Sequence, residues 1–134
     1  MSEFLRSRDL ERELHDEHDE IDQLLESLLN ATDSADPAVL QRAWSSLETS
    51  LLHHLELEEA RVFPSAERRR PDTVSRLRRE HEQIRRLLAE LGVRADLHTF
   101  RRSAAEDLLR LLRSHAAFEL AELCPEAREL APQR

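Results

Sequence analysis

Two stretches of this 134-residue sequence carry the same reactive side chains in the same order. Glu17-His18 with Ile21 recurs as Glu80-His81 with Ile84. Each is followed further on by a His, a Glu at i+4 and a Pro: His54, Glu58 and Pro64, then His115, Glu119 and Pro125. Four histidines and two carboxylates at matched positions form a ligand set for a pair of transition-metal ions, which take imidazole nitrogen and carboxylate oxygen as donors. His and Glu at i and i+4 share one helix face, so His54 with Glu58, and His115 with Glu119, each offer nitrogen and oxygen to one small volume. A lone His on an apolar stripe reads more simply as a hydrogen-bonded core residue. Four of them, two followed by Glu and in register across a repeat, read as ligands.

The elements that must position these residues are helices. The sequence has one Gly and five Pro among abundant Leu, Ala, Glu and Arg, so breakers serve only as punctuation. Asp36-Pro37 and Pro71-Asp72 have the composition of helix starts, and Asp96 is a third candidate cap. Stops are expected at the polar stretch 30–36, at Phe63-Pro64, at Gly92 and at Cys124-Pro125. Helices are therefore predicted over 7–30, 37–63, 72–91 and 97–124. Short connections make them antiparallel neighbours. The expected fold is all-α: a single domain over 1–134, an up-down four-helix bundle with a two-fold pseudo-repeat of the helix pairs 7–63 and 72–124.

Steps of three and four place each histidine inside an apolar stripe. The predicted stripes are Leu10, Leu14, His18, Ile21, Leu25 and Leu28; Trp44, Leu47, Leu51, His54, Glu58 and Val62; Val74, Leu77, His81, Ile84, Leu88 and Leu91; and Ala104, Leu108, Leu111, His115, Glu119 with Glu122 or Leu123. Burying a carboxylate in such a core costs several kcal/mol unless it is paired or coordinated, and a metal supplies that compensation. Zinc could use the same donors. Duplication of the ligands about a pseudo-twofold axis, and the use of paired carboxylates to bridge two metals in four-helix bundles, favour two irons.

These residues resemble the hemerythrin-like family, the HHE cation-binding domain, over nearly the whole chain. The resemblance rests on Glu17-His18 and Ile21, His54 to Glu58-Glu59 and Phe63-Pro64, Glu80-His81 and Ile84, and His115 to Glu119. It implies a four-helix bundle around a non-haem di-iron centre. The oxygen-carrying members have a second His one turn before the third-helix ligand, where this chain has Leu77, and their last carboxylate is an Asp at a longer spacing than Glu119. The pattern is similar instead to bacterial proteins implicated in nitric-oxide handling and iron-sulfur cluster repair, and to hemerythrin-like proteins that decompose peroxide.

The expected centre places His18 and His54 on one iron and His81 and His115 on the other. Glu58 and Glu119 bridge them together with an oxo or hydroxo group. By donor counting each iron keeps a sixth position open. The expected function is binding and reduction or dismutation of hydrogen peroxide, nitric oxide or dioxygen. The alternatives are a dioxygen carrier or sensor, an iron storage and donation module, or an interaction scaffold with an incidental metal.

Composition narrows the rest. All twenty basic residues are Arg, which removes Lys-based Schiff-base chemistry, and the net charge of −8 argues against general nucleic-acid binding. Charge is uneven: residues 1–30 hold ten acids and three arginines, residues 66–102 eleven arginines and six acids, and both runs are expected to be solvated faces. A single Cys excludes an internal disulfide, the first residues do not resemble a signal peptide, and no apolar run approaches the ~18 residues of a membrane span, so a cytoplasmic protein is expected. No residue specifies an oligomeric state. Glu17 and Glu80, each directly before a His, read as a solvated face, with a supporting or proton-relay role as the alternative, and Glu59 and Glu122 as surface or supporting residues. His15, His53 and His98 read as non-ligands, with His98 near the start of the fourth helix. Trp44 reads as core and Cys124 as bundle-end packing.

Overall fold

The computed structural model describes the backbone of residues 3–123 and the side chains from residue 12 onward. Five α-helices follow one another: α1 (Glu3–Ala31), α2 (Pro37–Leu57), α3 (Phe63–Glu67), α4 (Pro71–Asp96) and α5 (Arg102–Leu123). A π-helical turn, Glu58–Val62, joins α2 to α3 without a break, so these segments form one long rod and the architecture is a four-rod helical bundle. No strand occurs among the described residues. α1 packs on α2 and α5, and α4 packs on the same two, closing a ring of neighbours.

Local chemistry explains most of the ends. Asp36 caps α2 by accepting from the Ala38 amide at 3.0 Å, and Pro37 and Pro71 occupy first turns, where a missing N–H costs nothing. Three predicted boundaries are corrected. The second rod does not stop at Phe63-Pro64 but runs to Glu67, because the π turn absorbs the proline: the Phe63 amide donates to Glu58 O, one residue further back than an α-helix allows. The third rod passes Gly92, whose missing Cβ faces Trp44 Nε1 at 3.5 Å, and continues to Asp96. It ends where His98 takes φ 58° and the Thr99 amide returns to Arg94 O at 2.8 Å, a left-handed C-terminal cap. α5 consequently starts at Arg102 and not at 97, Asp96 closes a helix instead of opening one, and His98 lies exposed in the connection.

The stripes bury as expected with two adjustments. Past Glu58 the π turn shifts the register by one, so Phe63 is fully buried where Val62 was expected. On α5 the most buried apolar residues are Ala105, Leu108 and Leu112, with Ala104 and Leu111 only partly covered. Trp44 is core, tilted against Phe100 at 5.6 Å. The side chains of Leu10 and Cys124, and Pro125, lie outside the described residues. The buried apolar residues divide into a large cluster from Ile21 to Leu112 and a small one of Phe63, Ala66, Val74 and Leu77. On every rod the layer between them is occupied by His or Glu.

Candidate metal centre

All six predicted residues meet in that layer. His54, Glu58, His81, His115 and Glu119 are buried, and the His18 side chain keeps 16% of its exposure. They form two groups, each with donor atoms close enough to hold one ion: His18, His54, Glu58 and Glu119, and Glu58, His81 and His115. Glu58 belongs to both. His54 Nε2 stands 3.1 Å from Glu58 Oε2 and His81 Nε2 2.9 Å from Glu58 Oε1, so its two oxygens serve opposite imidazole pairs. Glu119 joins only the first group, with Oε1 3.3 Å from His18 Nε2.

Four buried atoms here have no hydrogen-bond partner: Glu58 Oε2, His115 Nε2 and both oxygens of Glu119. Leaving such groups unsatisfied is costly, so their convergence on one spot calls for a cation. In the metal-free protein protons supply part of that charge. Burial, which alone depresses an imidazole, is outweighed at His18 by Glu119 and Glu58, and its pKa is raised to about 9. His54 and His115 are raised in the same way, Glu58 being the largest influence opposing burial in each. Burial also pushes Glu119 up to about 7, with Glu58 beside it adding to the shift. Glu58 itself is held well below the usual carboxylate range: burial opposes this, but the nearby Glu119 carboxyl and the imidazoles of His115, His18 and His54 outweigh it.

Behind the donors stands a ring of carboxylates, which decides Glu59 in favour of the supporting role and overturns the solvated face expected for Glu17 and Glu80. His54 Nδ1 donates to Glu17 Oε1 at 2.7 Å, His115 Nδ1 to Glu80 Oε1 at 2.6 Å, and His81 Nδ1 to Glu59 Oε2 at 2.7 Å. Glu17 and Glu80 are therefore largely covered and not a free surface: each turns toward the neighbouring rod and fixes its imidazole with Nε2 aimed at the centre. Their recurrence immediately before a His in both halves was the available signal. The other marginal residues stay away from the donors. His15 and His53 are exposed, and Glu122 pairs with Arg70 at the bundle end.

The description hemerythrin HHE cation-binding domain matches residues 9–127. The chain belongs to that family. No curated protein and no solved structure matches the chain. For a hemerythrin-family bundle the layer of His and Glu is where a cation belongs, and the donor set and orphaned atoms fit one. Beside it lies a cavity of about 60 Å³, bounded by His18, His54 and His115 and by apolar Ile21, Leu25 and Leu112. Asp22 and Arg113 stand at its rim, paired across α1 and α5 at 3.0 Å. Among the described residues no helix is long and apolar enough to cross a membrane.

Proposed function

We propose that His18, His54, Glu58, His81, His115 and Glu119 hold two iron ions, and that this hemerythrin-like protein binds and reduces or dismutates a small reactive molecule: hydrogen peroxide, nitric oxide or dioxygen. The observation that carries the reading is the pair of donor groups sharing Glu58 beside a small, mostly apolar cavity. Two irons would supply electrons and open coordination positions at adjacent points.

The chain's own residues do the rest. Glu17, Glu59 and Glu80 hold three imidazoles in the Nδ1–H form, so that Nε2 presents its lone pair inward. Ile21, Leu25 and Leu112 give the pocket an apolar wall beside the donors, and its volume of about 60 Å³ suits a molecule of a few atoms. Dismutation of peroxide needs no outside electrons, whereas reduction of nitric oxide or dioxygen draws them from a separate donor. The cavity favours small-molecule binding over iron storage, for which it has no use. Between turnover and simple carriage of dioxygen the ligands are neutral.

The test is metal analysis and optical spectroscopy of the iron-supplied protein, followed by timed decay of each candidate molecule. Two irons per chain are expected, with decay of at least one molecule faster than with His81→Ala of lower iron content. Equal decay rates would discard the enzymatic reading, and reversible oxygenation without turnover would replace it with a carrier.

A further inference from the structure

The duplication makes the two imidazole pairs alike in sequence, but the side chains behind them differ. Behind His81 runs a chain of three groups. Its Nδ1 donates to Glu59 Oε2 at 2.7 Å, and Arg85 grips that carboxylate with both arms of its guanidinium, at 2.6 Å to Oε2 and 2.9 Å to Oε1. His115, the other imidazole of this pair, is backed by Glu80, which also accepts from Arg76 at 3.0 Å. Both rings are therefore locked with Nε2 turned to the centre, each by a carboxylate that an arginine anchors.

The other pair lacks half of this. His54 has Glu17, but among the described residues nothing caps His18 Nδ1. The repeat positions say why: where His81 has Glu59 and Arg85, the equivalents around His18 are Leu120 and Asp22. Leu120 cannot accept a hydrogen bond, and Asp22 is turned outward to Arg113. His18 is also the only imidazole of the four with appreciable exposure, 16% against 0% for His81.

We propose that Glu59, anchored by Arg85, is a positioning residue whose hold on His81 outweighs the extra donor that Glu119 gives the other group, making the His81–His115 side the tighter of two metal positions, filled first and emptied last. This rests on the metal-site reading above. Removing such a supporting carboxylate costs about 10–100-fold in metal affinity, which sets the size of the expected effect.

Anaerobic titration of the metal-free full chain with Co²⁺, followed by calorimetry and by the absorption of the bound ion, tests it. The wild-type chain is expected to bind in two steps at least about tenfold apart. Glu59→Gln should weaken the first step by about 10–100-fold and leave the second nearly unchanged, while Glu17→Gln, which replaces the carboxylate behind His54 by a neutral amide, should weaken the second. A general loosening of the bundle would move both steps together. Should Glu59→Gln fail to fold, Arg85→Lys, which keeps the charge and loses the fork, should weaken the first step alone. Two ions bound at one affinity, or a Glu59→Gln effect on both steps alike, overturn the role given to Glu59 while the metal site stands. A wild-type chain that takes up no Co²⁺ overturns the metal-site reading together with this one.

Discussion

Glu58 and Glu119 are two carboxylates buried against each other, and the cost of ionising both is the sharpest electrostatic fact of the metal-free protein. Four polar neighbours hold Glu58 ionised, so the proton resides on Glu119, pushed up to about 7 by burial and by Glu58. The folded state binds this proton more tightly than the unfolded chain, whose carboxyl titrates near 4.5. The associated stability is present below pH 4.5 and lost as pH rises through 7. Glu119→Gln, a neutral isostere, escapes that loss. Thermal unfolding of the metal-free variant should match wild type at pH 5 and exceed it at pH 8, by on the order of 1–3 kcal/mol. The same variant should bind metal more weakly, having lost an anionic donor. A variant equally stable to wild type at pH 8 would mean that Glu119 is not carrying a costly buried charge.

At the scale of elements the π turn does more than accommodate Pro64. It keeps Phe63 on the core face one residue later than an α-helix would, and it sits at Glu58–Val62, directly where Glu59 leaves the backbone to reach His81. The corresponding stretch of α5 is uninterrupted α-helix through Leu123, so the two halves differ in backbone as well as in side chains. Deleting Ala60 together with Pro64→Ala should restore α-helical geometry. It also brings Phe63 to four residues after Glu58, so the rod keeps facing the core. Circular dichroism should then show an intact helical protein, whereas metal titration should show the first binding step weakened by about tenfold or more through loss of the Glu59 contact. Unchanged metal affinity in a folded deletion variant would separate the π turn from the site.

For the whole molecule, the site is a polar layer set between two apolar clusters, and in the metal-free state it is held together by protons. His18 titrates near 6.5 in the unfolded chain and about 9 in the fold, and His54 and His115 are shifted in the same direction. Stability from His18 is fully present below pH 6.5 and lost as pH rises through 9. Metal binding replaces those protons and is favoured over the same interval. The melting temperature of metal-free protein should therefore fall between pH 6.5 and 9, while the gain on adding iron anaerobically grows. At pH 8, with free metal about a thousandfold above its Kd, the gain should be about 10 °C or more. A gain that shrinks with rising pH would contradict the exchange of protons for metal.

The sequence by itself determined the four rods, the stripe on each and the six inward donors, because helical periodicity and the spacing of His to Glu are local properties of a chain turning every 3.6 residues. His18, His54, His81 and His115 were legible for that reason, and the internal repeat tied them into one layer. Tertiary structure decided what local periodicity does not encode: the rotation of each rod against its neighbours. That rotation brings Glu17 to His54 and Glu80 to His115 across rods, although each Glu lies about 100° around its own helix from the adjacent His. The π turn was equally hidden, since a one-residue shift leaves no periodic trace over five residues and depends on Phe63 finding its place in the core. The inequality of the two imidazole pairs was legible in part, since Leu120 and Asp22 stand at the repeat positions of Glu59 and Arg85, but only the packing of separate rods brings Glu59 and Arg85 together at His81.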